Sequence, residues 1–133
     1  MKKLLVLGAG LSATYLVEQL LEDAEREDWF VTVGDLNEVL ARQAVGNHPR
    51  GEAVRFDVND AEVRSTRIER ADVVLNMLPA AFQDIVASDC VRYGRHMVSV
   101  SYRDRSLRDL DSDAKRKGVL LLCEMGLDPG LDH

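Results

Sequence analysis

The sequence predicts an α/β fold in which a doubly wound parallel sheet of about six strands carries helices on both faces. Short apolar runs alternate with longer stretches whose apolar residues recur about every three or four positions, as in buried parallel strands and amphipathic helices. The three prolines fall between these segments, where a missing backbone donor does no harm. Because crossovers between parallel strands are right-handed, a doubly wound sheet is the simplest topology that fits this alternation.

In the first half of the chain, strands are predicted over residues 4–7, 30–33 and 53–56. The apolar spacing over residues 12–27 predicts the first helix. Asn37 is a suitable N-cap for a second helix that ends at residue 45. Asn59, followed by Glu62 in the third position after it, resembles a capping box and predicts a third helix to about residue 70.

In the second half, a strand over residues 73–78 is closed by Pro79. The next helix is predicted to bury one face, formed by Phe82, Ile85, Val86 and Cys90. The remaining elements are a strand over 96–100, a helix over 106–117 and a strand over 119–123. Residues 1–133 are therefore predicted to form one domain, which is a usual size for such a unit.

Composition excludes several classes of protein. The formal net charge is −6, from 17 basic and 23 acidic residues, which argues against nucleic acid or an anionic membrane as a partner. No apolar run approaches the ~20 residues of a membrane span. The first residues contain no long apolar segment and no small-residue cleavage site, so we expect no secretory signal. Cys90 and Cys123 form no metal-binding or disulfide motif and fit a core better than a nucleophile. We therefore expect a cytoplasmic domain without a metal.

A glycine-rich loop joins the first strand to the first helix, with the sequence Gly8-Ala9-Gly10-Leu11-Ser12-Ala13. This is the G-x-G-x-x-G/A fingerprint of dinucleotide-binding Rossmann domains. Gly8 allows the tight turn, Gly10 lets the backbone approach a pyrophosphate, and Ala13 keeps the helix close to the sheet. An ordinary tight turn would also use glycines, but the strand–turn–helix context favours a dinucleotide site.

Asp35 follows the second strand, where a carboxylate can accept hydrogen bonds from the adenosine ribose. The alternative is an aspartate that only begins a turn. A carboxylate at this position would repel a 2′-phosphate, so the sequence favours NAD as the cofactor and makes NADP less favourable. Arg42, in the next predicted helix, is the residue that could oppose this preference by reaching a phosphate.

Two further strand ends are candidates for cofactor contacts. Asp57 and Val58 follow the third strand and either border the adenine or form a turn before the next helix. Asn76, Leu78 and Pro79 lie at the end of the fourth strand, at the switch point of the sheet. Asn76 either lies near the nicotinamide and its ribose or is a strand-end amide with internal partners. Both pairs of alternatives stay open.

Four segments together resemble the saccharopine dehydrogenase / saccharopine reductase family along the whole chain. They are VLGAG at residues 6–10, FDVND at 56–60, VSVSY at 98–102 and CEMGLDPGLDH at 123–133. The last segment is the most specific of the four. The resemblance implies a nicotinamide-dependent oxidoreductase of lysine-related amino-acid metabolism, in which hydride reduces an imine to a secondary amine.

The resemblance also implies where the substrate would lie. In the family, the loops after the fifth and sixth strands border the substrate cleft, and the matching positions here are Ser101, Tyr102, Asp128, Pro129 and Gly130. It assigns no catalytic residue. Family members continue into a substrate-binding and dimerisation domain, so we expect an amino-acid substrate, a homodimer formed through that domain, and no imine reduction by residues 1–133 alone. Fungal members that use NADP have a basic or hydroxyl-bearing residue near Asp35.

Two other functions are compatible with this fold. A stand-alone NAD-sensing regulatory module, like those attached to potassium transporters, has this size and a similar acid after the second strand. Such a module has no need for Ser101 and Tyr102 or for the C-terminal motif, which favours the dehydrogenase. A short-chain dehydrogenase would need a lysine four residues after Tyr102, where this chain has Ser106.

Overall fold

The computed structural model describes residues 1–99 and 121–123. The strands are β1 Lys2–Leu7, β2 Trp29–Asp35, β3 Gly51–Arg55, β4 Val73–Asn76, β5 His96–Ser99 and β6 Leu121–Cys123. The helices are α1 Leu11–Glu27, α2 Glu38–Val45, α3 Ala61–Arg70 and α4 Gln83–Tyr93, with a 3-10 turn at Ala80–Phe82. The helix predicted over residues 106–117 and the residues at 100, 119 and 120 lie outside this description.

All the described strand pairs are parallel, in the order β3-β2-β1-β4-β5-β6. The order reverses between β1 and β4, because the chain leaves β3 at one edge and re-enters the sheet next to β1. A crevice opens outside the carboxyl ends of the strands at such a switch point. The predicted doubly wound Rossmann fold is confirmed.

Strand β1 lies between the two layers of the core. Leu5 and Leu7 pack on one side with residues of α3 and α4, including Ile68. Leu4 and Val6 pack on the other side with residues of α1 and α2. A strand covered on both faces reads as a continuous apolar run rather than an alternating one. This explains why the run at residues 4–7 was a reliable sign of a central strand.

The N-cap of α3 differs from the prediction by one residue. Asp60, not Asn59, caps this helix, and its Oδ1 accepts hydrogen bonds from the backbone N–H groups of Glu62 at 3.1 Å and Val63 at 3.2 Å. The Asn59 N–H instead donates to Oδ1 of Asp57 at 3.0 Å. The Asp57 side chain thus forms an Asx turn that includes Asn59 and moves the start of the helix forward. The predicted Asn37 cap of α2 is confirmed by its bond from the Val39 N–H.

The chain around α4 also departs from the prediction. Strand β4 ends at Asn76, two residues earlier than predicted, because the Asn76 side chain accepts the Leu78 N–H and turns the chain. Phe82 belongs to the 3-10 turn that precedes α4. Within α4, Val86 and Cys90 are buried as predicted, but Ile85 is 37% exposed. The buried face of α4 includes Gln83, Val86 and Cys90 at three- and four-residue spacing, and Ile85 lies outside this face.

Candidate functional site

The first turn of the glycine loop requires glycine at position 8. Gly8 has φ +95°, a conformation that L side chains rarely adopt. A Cβ built there would lie 3.1 Å from the backbone oxygen of Met77, just after β4. Its N–H donates to the Gly34 carbonyl at 2.8 Å, at the end of β2. Gly8 therefore brings the backbones at the ends of β1, β2 and β4 into close contact.

Gly10 is the N-cap of α1 and has an extended backbone with φ −74° and ψ −171°. It provides no side-chain cap for the helix, and no described atom lies within 4 Å of the position that its Cβ would take. The N–H groups at the start of α1, which begins with Leu11 and Ser12, are thus left without a cap. Together with the helix dipole, they suit an anion such as pyrophosphate. Ala13 is buried and keeps α1 against the sheet.

Asp35 joins the end of β2 to the glycine loop. Its Oδ2 accepts a hydrogen bond from the Ala9 N–H at 2.8 Å, and its Oδ1 accepts one from the Asn37 N–H at 2.7 Å. Two backbone donors therefore fix the carboxylate beside the loop, and the bond from Asn37 corresponds to the turn-forming alternative for Asp35. Because each carboxylate oxygen can accept more than one hydrogen bond, the group can also accept from hydroxyls. The guanidinium of Arg42 is engaged elsewhere, in an ion pair with Glu38 on the exposed face of α2.

The turn after β3 contains Asp57 and Val58. The Asp57 carboxylate forms the Asx turn described above, which is one of the two roles that the sequence left open. The Val58 side chain is buried, and its carbonyl accepts a hydrogen bond from Nη1 of Arg64 at 2.7 Å. Nε of Arg64 in turn lies 2.6 Å from Oδ2 of Asp89 on α4. Arg64, which forms a buried ion pair with Asp89, therefore fixes the turn after β3 through the Val58 carbonyl.

The Asn76 side chain is buried at the end of β4 and contacts groups inside the protein. It is 0% exposed, its Oδ1 accepts the Leu78 N–H at 3.1 Å, and its Nδ2 lies 4.0 Å from the sulfur of Met97. This geometry corresponds to the second alternative for Asn76, a strand-end amide with internal partners. Pro79 is exposed and Leu78 is half-buried, so both remain available at the switch point.

Four buried polar residues that support these turns were not predicted from the sequence. They are Arg64 on α3, Gln83 and Asp89 on α4, and Ser99 at the end of β5. One signal was present, since Gln83 and Asp89 each lie three residues from the buried Val86 along one helix. Polar side chains on an apolar helix face need partners, because burial without a hydrogen bond is costly.

The predicted substrate-side residues, Ser101, Tyr102, Asp128, Pro129 and Gly130, lie outside the described residues. Within the described part, no group of three or more His, Cys, Asp or Glu side chains could hold a metal ion. None of the helices in that part has the length and hydropathy needed to cross a bilayer. Burial raises the pKa of the Cys90 thiol to about 12, so this thiol stays protonated and is no nucleophile near neutral pH.

Comparisons with known proteins identify relatives of this domain. A family model described as "Saccharopine dehydrogenase NADP binding domain" matches residues 4–122. Alpha-aminoadipic semialdehyde synthase of Arabidopsis thaliana is 39% identical over 84% of this chain and 10% of its own length. Saccharopine dehydrogenase [NADP(+), L-glutamate-forming] of Saccharomyces cerevisiae is 30% identical over 99% of this chain and 29% of its own length.

A solved structure agrees with the sequence relatives. The apo saccharopine dehydrogenase (L-Glu forming) of Saccharomyces cerevisiae superimposes with a TM-score of 0.81 and 27% identity, covering 100% of this chain and 29% of the yeast chain. The chain thus spans less than a third of the length of these relatives. The matches support the dehydrogenase interpretation and not the NAD-sensing alternative. They favour NADP and do not support the predicted preference for NAD, because the family model and the yeast relative are described by NADP.

Proposed function

The chain belongs to the saccharopine dehydrogenase NADP-binding domain family, and on that premise we propose that it is the dinucleotide-binding part of an oxidoreductase. The reaction is a hydride transfer between a nicotinamide cofactor and an imine or secondary amine of lysine-related metabolism. The observation that supports this most directly is the uncapped N-terminus of α1, which begins directly after a glycine loop that is tied to the Asp35 carboxylate.

The two halves of the sheet bind different halves of the dinucleotide. The N–H groups that start α1 receive the pyrophosphate, and Asp35 receives the ribose of the adenosine half. The nicotinamide half then lies toward β4 and β5, on the other side of the switch point, beside Leu78 and Pro79. When bound, the cofactor supplies the hydride chemistry. The protein's own contribution here is to hold the dinucleotide in one orientation across the carboxyl edge of the sheet.

The substrate and assembly are proposals on the same premise. The names of the relatives indicate saccharopine and L-glutamate as the class of substrate, an amino acid joined through a secondary amine. We also propose that the whole protein forms a homodimer through a further domain and that it is located in the cytoplasm. Calibrated gel filtration of the whole protein would test the dimer, and fractionation of cells would test the location.

The first prediction concerns activity. The whole protein should oxidise reduced nicotinamide cofactor only when glutamate and aminoadipate semialdehyde are both present. Loss of the cofactor's absorbance measures this oxidation. Residues 1–133 alone should bind the cofactor but give no measurable turnover. We assign the described residues to the cofactor side of the cleft, and orientation of the second reactant, which they would not provide, can contribute roughly 7–11 kcal/mol. Turnover by residues 1–133 at a rate similar to that of the whole protein would contradict this division.

The second prediction concerns the choice of cofactor. We propose that the chain prefers NADH to NADPH, in contrast to the names of its relatives, because the fixed Asp35 carboxylate would face a 2′-phosphate. Asp35→Asn removes the charge while keeping an amide oxygen for one of the two backbone donors. It should tighten NADPH binding by about tenfold or more relative to NADH, since like charges about 4 Å apart repel by roughly 1–4 kcal/mol in a partly aqueous setting.

Calorimetric titration with each cofactor measures this ratio. Asp72→Asn is the matched control, because the Asp72 carboxylate also accepts a backbone N–H, from Lys3 at 2.7 Å, but lies at the amino edge of the sheet. The control should leave the ratio unchanged. Tighter binding of NADPH than of NADH by the unmodified protein would show that Asp35 does not set the preference.

A further inference from the structure

A buried amide on α4 holds the turn that follows β4. The side chain of Gln83 is 1% exposed, and its Nε2 donates to the Leu78 carbonyl at 2.7 Å and lies 3.5 Å from the Asn76 carbonyl. Its Oε1 accepts a hydrogen bond from the Ser99 hydroxyl at the end of β5. The Gln83 amide therefore connects the carboxyl ends of β4 and β5 through the first turn of α4.

Both backbone polar groups of Leu78 are bonded to side-chain amides. Its N–H donates to Asn76 and its carbonyl accepts from Gln83. A residue between a strand and a 3-10 turn lacks ladder partners, and at Leu78 the side chains of Asn76 and Gln83 take their place. The conformation of the turn at Leu78 thus depends on the two amides, and of these two the Gln83 amide comes from another element.

This turn packs directly against the glycine loop. A Cβ on Gly8 would lie 3.1 Å from the Met77 oxygen and 3.5 Å from the Leu78 nitrogen. The Met77 N–H also donates to the Leu7 carbonyl at 2.8 Å, which fixes the start of the turn to the end of β1. A shift of Leu78 therefore alters the wall of the crevice on the β4 side. The hydrogen bonds of Asp35 on the β2 side do not involve Leu78 and should be retained.

We propose that Gln83 is a positioning residue that sets the nicotinamide half of the crevice by fixing the backbone of Leu78. The proposal rests on the proposed dinucleotide function and names the residue that shapes one half of that site. Gln83 itself is buried and does not touch the ligand. Its effect on binding should therefore depend on which half of the dinucleotide a ligand carries, and a merely structural residue would not show this dependence.

The test compares NADH or NADPH, whichever the unmodified protein binds more tightly, with ADP, which lacks the nicotinamide half. Gln83→Met keeps the length of the side chain and leaves the Leu78 carbonyl without its donor. We expect the dissociation constant of the dinucleotide to rise about tenfold, since loss of the donor to the partly buried Leu78 carbonyl allows the turn to shift. The dissociation constant of ADP should change by less than about twofold.

Two further variants make the result specific. Gln43→Met introduces the same chemical change on the exposed face of α2 and should leave both constants unchanged. Gln83→Asn keeps an amide on a shorter side chain, so it should perturb the fold less than Gln83→Met. It should reproduce the selective loss of dinucleotide affinity with a smaller rise in the dissociation constant. Calorimetry gives the constants, and circular dichroism confirms that each variant is folded.

The outcomes separate the two hypotheses. Loss of dinucleotide affinity with ADP binding retained supports the positioning role. An equal loss for both ligands in the folded Gln83→Asn protein, or no loss for either ligand, overturns it. If the unmodified protein binds ADP but neither NADH nor NADPH, the proposed function fails, and the role of Gln83 fails with it.

Discussion

The Gly10→Val variant should lose dinucleotide binding by about a hundredfold or more while the domain stays folded. The extended backbone at Gly10 accepts a β-branched residue, and no described atom would contact the new Cβ. The added methyl groups would occupy the space in front of the α1 N-terminus, where a pyrophosphate needs close approach to the N–H groups. Without that approach the main charge interaction is lost, and about 3 kcal/mol corresponds to a hundredfold change.

Gly8 provides the opposite control in the same loop. Gly8→Ala should lower the free energy of unfolding by about 1–2 kcal/mol or more, because φ +95° is strained for any L side chain and the Cβ would press on the Met77 backbone. Gly10→Val should change it by less than about 1 kcal/mol, the scale of a poor N-cap. Urea unfolding and calorimetry measure both quantities. Retained binding by Gly10→Val would mean that the phosphates are held elsewhere.

The sequence predicted the parts of the fold that depend on local chemistry. The run at residues 4–7 was apolar because β1 is covered on both faces. The glycine loop could be predicted from the sequence because the positive φ at residue 8 directly favours glycine. The N-cap at Asn37 was predicted correctly because Glu38 follows it, whereas Asn59 is followed by Asp60, a second capping side chain.

The errors came from positions where several side chains compete for the same backbone groups. Asp57, Asn59 and Asp60 can each form a turn or a cap, and only the geometry of the β3 end decides that Asp60 caps α3. Asn76 was open for a similar reason, because its burial depends on Gln83 and Met97 from other elements. Local patterns identify such residues as candidates, but long-range packing selects their partners.

Helix α4 supports both turns of the candidate site through buried polar groups. Gln83 in its first turn holds the backbone after β4, and Asp89 two turns later holds Arg64, which binds the carbonyl after β3. The carboxyl edges of β3 and β4 belong to the two halves of the crevice. One helix thus connects the turns after β3 and β4 through hydrogen bonds and an ion pair of its buried polar side chains.

The buried pair of Arg64 and Asp89 should therefore be the most costly ion pair to break among those described. Their side chains are 11% and 4% exposed, so Asp89→Ala would leave a buried guanidinium without its counter-charge. Removing one partner of such a pair typically costs about 3–5 kcal/mol. Urea unfolding should show this loss for Asp89→Ala, and a smaller change for the double variant Arg64→Met with Asp89→Leu, in which neither charge remains.

The exposed pair of Arg42 and Glu38 on α2 provides the matched control. The side chain of Arg42 is 70% exposed, and a pair of this kind contributes only about 0.3–0.5 kcal/mol. Glu38→Ala should therefore leave the unfolding midpoint nearly unchanged. If Asp89→Ala proved no more destabilising than Glu38→Ala, water would have to reach Arg64 in solution. The turn after β3 would then lack the rigid support that its hydrogen bond to Arg64 implies, and the adenosine side of the crevice would be shaped by the Asp57 turn alone.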